Sequence, residues 1–319
     1  MTKREFAQDF IKQNPGVPTS LLSREMRREY PDIFHSDEAA RDAIRYVKGA
    51  HGKKGRMDRG LEPRIPDSSE HVWGPYDLEA RDGDRIALLS DIHIPYHSKS
   101  ALELAIKEAK RRKANIILLN GDTMDAHELS RFEKDPRERS FREEIPLVKQ
   151  FLAYLRHTFP KARIIWKDGN HDERLYLYLR RHAPALLGLD SFEAQSVLGL
   201  DENGLGYVTG KRPITCGKLN ILHGHEYPTS ALGVVNPARG LFLRAGACAI
   251  EGHYHQTSEH AQPNLEGKSI ACWSTGCLSE LHPPYMPLNK WNHGFAMIEM
   301  GKAGNFKVSN HKIINGEIY

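Results

Sequence analysis

Carboxylate, amide and imidazole side chains occur together in five short motifs, and each motif follows an apolar run. In chain order they are Asp91-Ile92-His93, Gly121-Asp122, Gly169-Asn170-His171-Asp172, His223-Gly224-His225 and Gly252-His253-Tyr254-His255. Short apolar runs that end in glycine and a polar residue are typical of buried strands leading into a loop. Ligands of open α/β sheets gather at the carboxyl ends of the strands, so we expect the motifs to converge. Without a cation, converging carboxylates and imidazoles would repel one another or lack hydrogen-bond partners. The motifs therefore predict bound metal ions.

The order and spacing of these motifs resemble the signature of the calcineurin-like metallophosphoesterase superfamily, over residues 85–295. The resemblance implies an α/β protein built as a four-layer α/β/β/α sandwich. It implies a first metal ion held by Asp91, His93, Asp122 and His255. A second ion would be held by Asp122, Asn170, His223 and His253, with Asp122 bridging both. Oxygen and imidazole donors without thiolate favour Mn²⁺, with Fe and Zn²⁺ as alternatives.

The implied reaction is hydrolysis of a phosphoester by direct attack of a hydroxide that bridges the two metal ions. His171 follows Asn170 and is therefore expected beside the metals, where it would protonate the leaving oxygen or stabilise transition-state charge. Asp125 stands where the phosphoprotein phosphatases carry the carboxylate partner of that histidine. Asp172 is the competing partner, and a loop-capping role for Asp172 is equally open.

The chain also departs from those phosphatases, which place Arg-Gly after the partner aspartate where this sequence has Ala126-His127. The difference disfavours a protein phosphatase. Arg174 is a candidate phosphate contact, although an ordinary surface arginine fits its context as well. Trp291, with Tyr285 and Phe295, is a candidate base-stacking wall, and packing of a C-terminal strand is the alternative.

The positive charge of the chain is concentrated near its N-terminus. The 319 residues carry 45 Lys or Arg and 41 Asp or Glu, a net of +4, of which 14 and 10 lie in residues 1–65. This segment is predicted to be helical: an apolar stripe marks a first helix, Thr19 or Ser20 would cap a second, and Ser36 a third. With the basic run that follows, it resembles a helix-turn-helix region that contacts nucleic acid. An oligomerisation arm or a lid is the alternative.

A segment rich in proline and glycine, residues 62–76, separates residues 1–65 from a catalytic domain at residues 66–319. That domain is predicted to open with a β-α-β unit: a strand at residues 85–90, a helix at 98–113 and a strand at 116–120. Residues 173–206 form a largely helical insert. Alternating apolar residues at 268–274 and 295–300 predict a second sheet.

The composition of the sequence indicates in which cellular compartment we expect the protein. No apolar run is long enough to cross a membrane, and the first residues lack the apolar stretch of a signal peptide. The four cysteines, Cys216, Cys248, Cys272 and Cys277, form no C-x-x-C pair and are expected to be reduced core residues. His97 and His225 lie near motifs but outside the ligand pattern, and structural roles are favoured for both. We therefore expect a cytoplasmic protein without a membrane partner.

These observations predict a dimetal-dependent phosphoester hydrolase, and within that class a phosphodiesterase of the nuclease type that acts on nucleic acid. Two alternatives stay open. One is hydrolysis of small nucleotides or cyclic nucleotides. The other is a DNA-binding or assembly protein that uses the domain as a scaffold, and the intact ligand set argues against it.

Overall fold

The computed structural model describes residues 1–49, 74–134, 140–228 and 235–319. The chain separates into two compact units, Met1–Val72 and Trp73–Tyr319. The predicted domain boundary between residues 65 and 66 lies outside the described residues, as does the basic run that contains Lys53, Lys54 and Arg56. In the part of the chain that the structure describes, no helix combines the length and apolar character needed to cross a membrane.

The described part of the first unit is a bundle of three helices. They are α1 (Lys3–Gln13), α2 (Thr19–Glu29) and α3 (Asp37–Val47). Ser36 caps α3 as predicted, because its hydroxyl accepts a hydrogen bond from the Ala39 amide at 3.1 Å. The predicted cap of α2 is wrong: Thr19 is already helical, and Pro18 occupies the N-cap position without a side-chain hydrogen bond.

The three helices share a small apolar core. Its fully buried members are Ala7, Phe10, Leu22, Met26, Phe34, Ala40 and Ile44. Six of them recur at helical spacing along the three helices, so each helix turns one stripe inward, and Phe34 joins them from the segment between α2 and α3. The unit therefore has a hydrophobic core of its own.

The second unit contains five helices and thirteen strands within its described residues. The helices are α4 (Lys99–Arg111), α5 (Phe141–Thr158), α6 (Arg174–His182), α7 (Ala194–Leu198) and α8 (Pro237–Ala245). Single 3₁₀ turns occupy His127–Leu129, Pro184–Leu186, Asp190–Phe192 and Lys302–Gly304. The strands are β1 (Tyr76–Asp77), β2 (Arg85–Leu89), β3 (Ile116–Asn120), β4 (Arg163–Lys167), β5 (Leu205–Val208), β6 (Ile214–Cys216), β7 (Leu219–Ile221), β8 (Ala249–Glu251), β9 (Ser258–Pro263), β10 (Ser269–Ser274), β11 (His293–Met300), β12 (Phe306–Ile314) and β13 (Glu317–Ile318).

These strands form two sheets. The seven-stranded sheet has the order β13-β12-β11-β2-β3-β4-β5, and the six-stranded sheet has the order β1-β6-β7-β8-β10-β9. Strands β2, β3, β4 and β5 are mutually parallel, as are β7, β8 and β10. The predicted β-α-β unit is thus present as β2, α4 and β3, and the carboxyl ends of its strands lie at one edge.

Alternate residues along β2, β3 and β4 face opposite layers. One set packs against α4 and α5: Ala87, Leu89, Ile117, Leu119, Ile164 and Trp166. The other set packs against the six-stranded sheet: Ile86, Leu88, Ile116, Leu118 and Ile165. On the far side of that sheet, Leu241 of α8 packs with Ala249 and Cys272. The layers are therefore α/β/β/α, and the predicted fold is confirmed.

One strand lies in a different sheet from the one predicted. Residues 268–274 correspond to β10 of the second sheet, but residues 295–300 belong to β11, which pairs antiparallel with β2. Ala296 lies opposite Leu88 in this pairing. The two segments alternate in the same way, and alternation indicates a half-buried strand without indicating its neighbour.

Candidate metal centre

All seven predicted ligands lie on loops that follow strand ends. Strand β2 leads to Asp91 and His93, β3 to Asp122, β4 to Asn170, β7 to His223, and β8 to His253 and His255. Five of the seven have positive φ: Asp91 (56°), His93 (53°), Asp122 (52°), His253 (67°) and His255 (57°). This left-handed conformation costs roughly 1–2 kcal/mol for a residue with a Cβ atom. Such strain persists where the surrounding structure enforces it, typically at functional sites.

Asp91, His93 and His255 form the first group of donor atoms. Nε2 of His255 lies 3.1 Å from Oδ1 of Asp91 and 3.3 Å from Nε2 of His93. The three donor atoms lie within 4.8 Å of one another, and all three residues are buried. Asp91 is held in place by the His253 amide, which donates to Oδ2 at 2.9 Å, and by the Ser90 hydroxyl at 2.7 Å.

Asp122, His223 and His253 form the second group, again with donor atoms within 4.8 Å of one another. Asn170 joins them, because its Oδ1 lies 3.3 Å from Nε2 of His223. Oδ2 of Asp122 is 3.3 Å from Nε2 of His223 and 3.8 Å from Nε2 of His93. The same oxygen therefore faces both groups, while Oδ1 accepts the His171 amide at 2.8 Å. Asp122 occupies the shared position that the bridging prediction requires.

Outer hydrogen bonds orient two of the imidazoles. Nδ1 of His93 lies 3.1 Å from Oδ1 of Asp125, and Nδ1 of His223 lies 2.9 Å from the Asn120 carbonyl oxygen. Because these acceptors require a hydrogen on Nδ1, the Nε2 lone pairs point into the centre, which is the tautomer of a metal ligand. The donors are thus carboxylate and amide oxygens and imidazole nitrogens. They fit divalent ions such as Mn²⁺, Fe²⁺ and Zn²⁺.

The buried charges of the centre shift one another's pKa values. Burial favours a higher pKa for Asp91 and Asp122, but the neighbouring imidazoles lower the pKa of both carboxyls. Burial opposes protonation of His223, yet Asp122 raises its pKa to about 10. Burial, followed by the charge of His223, lowers the pKa of His253 to about 4. Burial also opposes protonation of His255, yet Asp91 contributes to a raised pKa of that imidazole. The two buried carboxylates therefore favour positive charge at the centre, which a bound cation would supply.

Asp125 lies between the imidazoles of His93 and His171. Nδ1 of His171 is 3.0 Å from Oδ1 of Asp125 and 2.9 Å from its backbone oxygen. Burial favours a higher pKa for Asp125, but hydrogen bonds from His171 and His93 lower it strongly. Nε2 of His171 lies 3.9 Å from Oδ2 of Asp122. His171 is therefore close enough to the centre to group with His93 and Asp122, and its Nδ1 is fixed by Asp125.

Arg174 is the first residue of α6 and its guanidinium is directed towards His171. Nη1 donates to the Asp125 carbonyl at 2.7 Å, and Nη2 lies 3.0 Å from Nε2 of His171. The side chain is half-buried and does not point into open solvent. Its position is beside the centre, where a phosphate oxygen could reach it.

Asp172 contacts backbone amides. Its carboxylate accepts from the amides of Asp122 (2.7 Å), Gly169 (2.8 Å) and Met124 (3.2 Å). Burial, followed by the charge of Asp122, raises its pKa well above the usual range. These contacts are those of a loop cap that joins motif two to motif three.

Two of the three aromatic residues proposed as a wall lie near the centre. The Trp291 ring packs against the His255 imidazole at 4.3 Å between centroids, and Tyr285 lies 6.5 Å from Trp291. Tyr285 is 73% exposed. Phe295 is fully buried among the residues that face α4 and α5, so it belongs to the core and not to the wall.

Comparison with known proteins identifies the family. The calcineurin-like phosphoesterase family matches residues 84–257, more than half of the 319-residue chain. The chain belongs to this family. It is accordingly a metal-dependent phosphoester hydrolase, in a family that uses two divalent metal ions.

Two phage proteins are similar to this phosphoesterase in sequence. The Gene 54 protein of Mycobacterium phage L5 is 29% identical over 178 residues, which cover 54% of this chain and 69% of that protein. The Gene 54 protein of Mycobacterium phage D29 is 28% identical over 178 residues, which again cover 54% of this chain and 69% of that protein.

Solved structures with a similar fold include Vps29 from Cryptosporidium parvum, with a TM-score of 0.40 and 16% identity, covering 75% of this chain and 96% of that one. A dimetal phosphatase from Danio rerio has a TM-score of 0.36 and 11% identity, and the match covers 72% of this chain and 96% of that one.

Two residues that support the phosphoesterase centre were not predicted. Glu226 accepts the amides of His223 at 2.9 Å and Gly224 at 2.7 Å. Its Oε1 lies 2.8 Å from Nζ of Lys167, which is fully buried. The signals were present: a lysine ends an apolar strand, and a carboxylate follows His223 at a spacing suited to a local bond to backbone.

The remaining residues singled out from the sequence supply no atom to the donor groups that the described residues form, although His225 lies against His223 and Cys277 against His255. His225 is buried beside His223, and its Nε2 lies 3.2 Å from Oε1 of Glu173. Cys272 and Cys277 are buried free thiols. His97 contributes no atom to the donor groups found among the described residues.

Gly252 should not tolerate a side chain. A Cβ atom there would collide with Oγ of Ser90 and lie 2.6 Å from Oδ2 of Asp91. Gly252→Ala should therefore displace Asp91, weaken metal binding and destabilise the fold by about 1–3 kcal/mol. Thermal unfolding and Mn²⁺ titration measure both effects. Gly74→Ala is the control, because nothing lies within 4 Å of its Cβ position; wild-type metal affinity in Gly252→Ala would show that the crowding is harmless.

Proposed function

We propose that this phosphoesterase is a phosphodiesterase and that its substrate is nucleic acid. The observation that carries the proposal is the aromatic surface beside the metal centre. Trp291 packs against His255, and Tyr285 lies next to it as an exposed residue. Aromatic rings of this kind stack on nucleobases with little regard to sequence. In nucleic acid every phosphodiester has bases on either side, so a wall beside the ligands suits this substrate.

The cationic groups near the centre support a diester over a monoester. A phosphate monoester carries more negative charge than a diester near neutral pH, and the protein phosphatases supply an arginine after the partner aspartate. Here that position is Ala126, which is fully buried. Arg174 is nearby, but its guanidinium already contacts the Asp125 carbonyl and His171. A singly charged diester places a smaller demand on the guanidinium of Arg174.

The chain's own residues account for the proton transfers. When bound, the two metal ions would supply Lewis-acid polarisation of the phosphoryl oxygens and a water of lowered pKa. Mn²⁺ is the metal we propose, with Fe and Zn²⁺ as alternatives. Nη2 of Arg174 donates to an unprotonated Nε2 of His171 in the structure. With Arg174 turned away, Nε2 of the imidazolium form of His171 donates its proton to the leaving oxygen, and Asp125 stabilises that form through Nδ1. Arg174 would turn from His171 to the phosphate as substrate enters.

We also propose that the basic run after residue 50 recruits the nucleic acid. Residues 1–49 contain nine Lys or Arg and eight Asp or Glu, so three of the four excess positive charges of residues 1–65 lie in residues 50–65. The first turn of α3 carries Asp37 and Glu38. A recognition helix contacts DNA through its N-terminal residues, and these two carboxylates would repel phosphate. The same proposal places the enzyme in the cytoplasm, where its free cysteines would remain reduced.

A panel of substrates tests the proposed activity. Mn²⁺-loaded enzyme should hydrolyse bis-para-nitrophenyl phosphate faster than para-nitrophenyl phosphate, and it should cleave single- or double-stranded DNA. Trp291→Ala should raise KM for DNA more than it lowers kcat. A faster monoester reaction, or DNA binding without cleavage, would contradict the proposal; the latter result would support the scaffold alternative.

The role of the basic run is tested in the full-length protein by replacing Lys53, Lys54 and Arg56 with alanine. Phosphate neutralisation releases counterions, so the log–log salt slope of DNA binding should become shallower by up to about 3, at about 0.9 for each phosphate no longer neutralised. A matched triple replacement of Lys12, Arg24 and Arg28 removes the same charge from the helices and should leave the slope nearly unchanged. Equal effects of the two triples would show that net charge alone attracts DNA. Binding without salt dependence would favour a small nucleotide as substrate.

A further inference from the structure

Glu144 is a buried carboxyl group that belongs to none of the five motifs. It lies on α5, and its residue surface is 1% exposed. Its Oε2 accepts a hydrogen bond from the Ala126 amide at 2.7 Å. A helix residue thus contacts the loop that carries Asp125, although the two segments are separated along the chain.

The peptide group between Asp125 and Ala126 is held from both ends. Its carbonyl oxygen accepts from Nη1 of Arg174 at 2.7 Å and from Nδ1 of His171 at 2.9 Å. Its N–H donates to Glu144. Three side chains therefore set the orientation of one peptide plane, and two of them are the proposed proton donor and its neighbouring arginine.

The backbone at this point needs such support. Ala126 has φ of 48°, in the left-handed region that residues with a Cβ atom rarely adopt. Ala126 is also fully buried, so water cannot replace the carboxyl group as the partner of its amide. Without the Glu144 hydrogen bond, the backbone could relax and carry the Asp125 carboxylate away from His171.

We propose that Glu144 is a positioning residue for leaving-group protonation, and that it acts through the Asp125–Ala126 peptide group. The inference rests on the proposed function, because it concerns the proton that His171 delivers to the leaving oxygen. Glu144 itself touches neither the donor atoms nor the substrate. Its contribution is to hold Asp125, His171 and Arg174 in their positions relative to one another.

The charge state of Glu144 indicates which property of the side chain matters. Burial raises the pKa of Glu144 to about 8, although the Ala126 amide opposes the shift. The group is therefore mostly neutral at pH 7 and serves as a hydrogen-bond acceptor more than as a countercharge. Oε1 has no hydrogen-bond partner among the described residues. Glutamine keeps an accepting oxygen for Ala126 and removes no other hydrogen bond.

The test compares two leaving groups in the full-length, Mn²⁺-loaded enzyme. Glu144→Ala should lower kcat about 10–100-fold for a dinucleotide, whose alcohol leaving group needs a proton, and less than about 3-fold for bis-para-nitrophenyl phosphate. KM and the metal content should change little. Glu144→Gln should restore most of the rate.

Val148→Ala is the matched control for reduced stability. Val148 is fully buried one turn further along α5 and packs in the core, so its truncation weakens the same helix without touching the peptide group. Val148→Ala should lower the unfolding temperature. It should not change the ratio of kcat for the dinucleotide to kcat for bis-para-nitrophenyl phosphate. In a His171→Ala background, Glu144→Ala should add almost no further loss, since the group it positions is absent.

Three results would overturn the inference: an equal loss for both leaving groups, a Glu144→Gln variant as slow as Glu144→Ala, or full additivity with His171→Ala. The comparison of two leaving groups can still be made if the diesterase proposal is wrong. If the enzyme hydrolyses only monoesters, phenyl and para-nitrophenyl phosphate provide the same contrast of leaving groups. A selective loss with phenyl phosphate then supports Glu144, and an equal loss refutes its role.

Discussion

Replacement of Asp122 by asparagine should abolish both metal binding and turnover. Oδ2 of Asp122 faces His223 at 3.3 Å and His93 at 3.8 Å, so it is the oxygen placed to serve both metal ions. Oδ1 is occupied by the His171 amide at 2.8 Å. An asparagine that keeps this hydrogen bond must turn its NH₂ group, a donor without a lone pair, towards the metals. The bridging charge and the bridging oxygen are removed together.

We expect Asp122→Asn to bind fewer than one Mn²⁺ ion per chain and to lose more than about 10³-fold in kcat, since it removes both the ions and the nucleophile they generate. Elemental analysis after Mn²⁺ loading and dialysis measures the first effect, and diester hydrolysis the second. Asp82→Asn, an exposed change in the same unit, should retain two ions and full activity. Two tightly bound ions in Asp122→Asn would refute the bridging assignment.

Replacement of His171 by alanine should lower the rate and leave the metals in place. Nδ1 of His171 bonds to Asp125, and the outer nitrogen of His93 uses the same carboxylate, yet the donor groups at Asp91 and at His223 are complete without His171. Loss of a positioned proton donor costs about 10²–10⁴-fold. The loss should be large for a dinucleotide and small for para-nitrophenyl esters, whose leaving groups need little protonation.

The measurement combines kcat for both classes of substrate with metal analysis. His225→Ala is a suitable control, because this neighbouring imidazole contacts Glu173 and contributes to neither donor group; its removal should not alter the dependence on leaving group. Should His171→Ala lose a metal ion, His171 is a ligand. Should it slow all leaving groups equally, it stabilises charge and does not transfer a proton.

Several features of the fold could be predicted from the sequence because they depend on neighbours along the chain. Strand β3 begins and ends as predicted, at Ile116 and Asn120, because a short apolar run is bounded there by polar residues and glycine. Ser36 caps α3 through an amide three residues away. Convergence of the first three motifs at one sheet edge followed from the parallel connectivity of β2, β3 and β4, whereas the last two motifs follow β7 and β8 of the second sheet.

The N-cap of α2 and the partner of β11 could not be predicted in the same way. Pro18 and Thr19 are both acceptable at the start of a helix, and the choice depends on how the preceding turn packs. Residues 295–300 alternate like a strand of either sheet, and their pairing with β2, with Phe295 buried against α4 and α5, assigns them to the first. Local pattern contains no information about which distant strand supplies hydrogen bonds.

The candidate site likewise has features that the sequence could predict and features that depend on the tertiary structure. The residue types of the five motifs indicated which side chains could bind metal, since every ligand follows the end of a strand within a few residues, and the resemblance to the family assigned these side chains to two ions. Only the tertiary structure decided how Arg174 faces His171, how Lys167 reaches Glu226, and how Glu144 holds the Ala126 amide. These contacts join residues from different elements, and their distances are set by the packing of helices and sheets, which no periodicity within a single segment specifies.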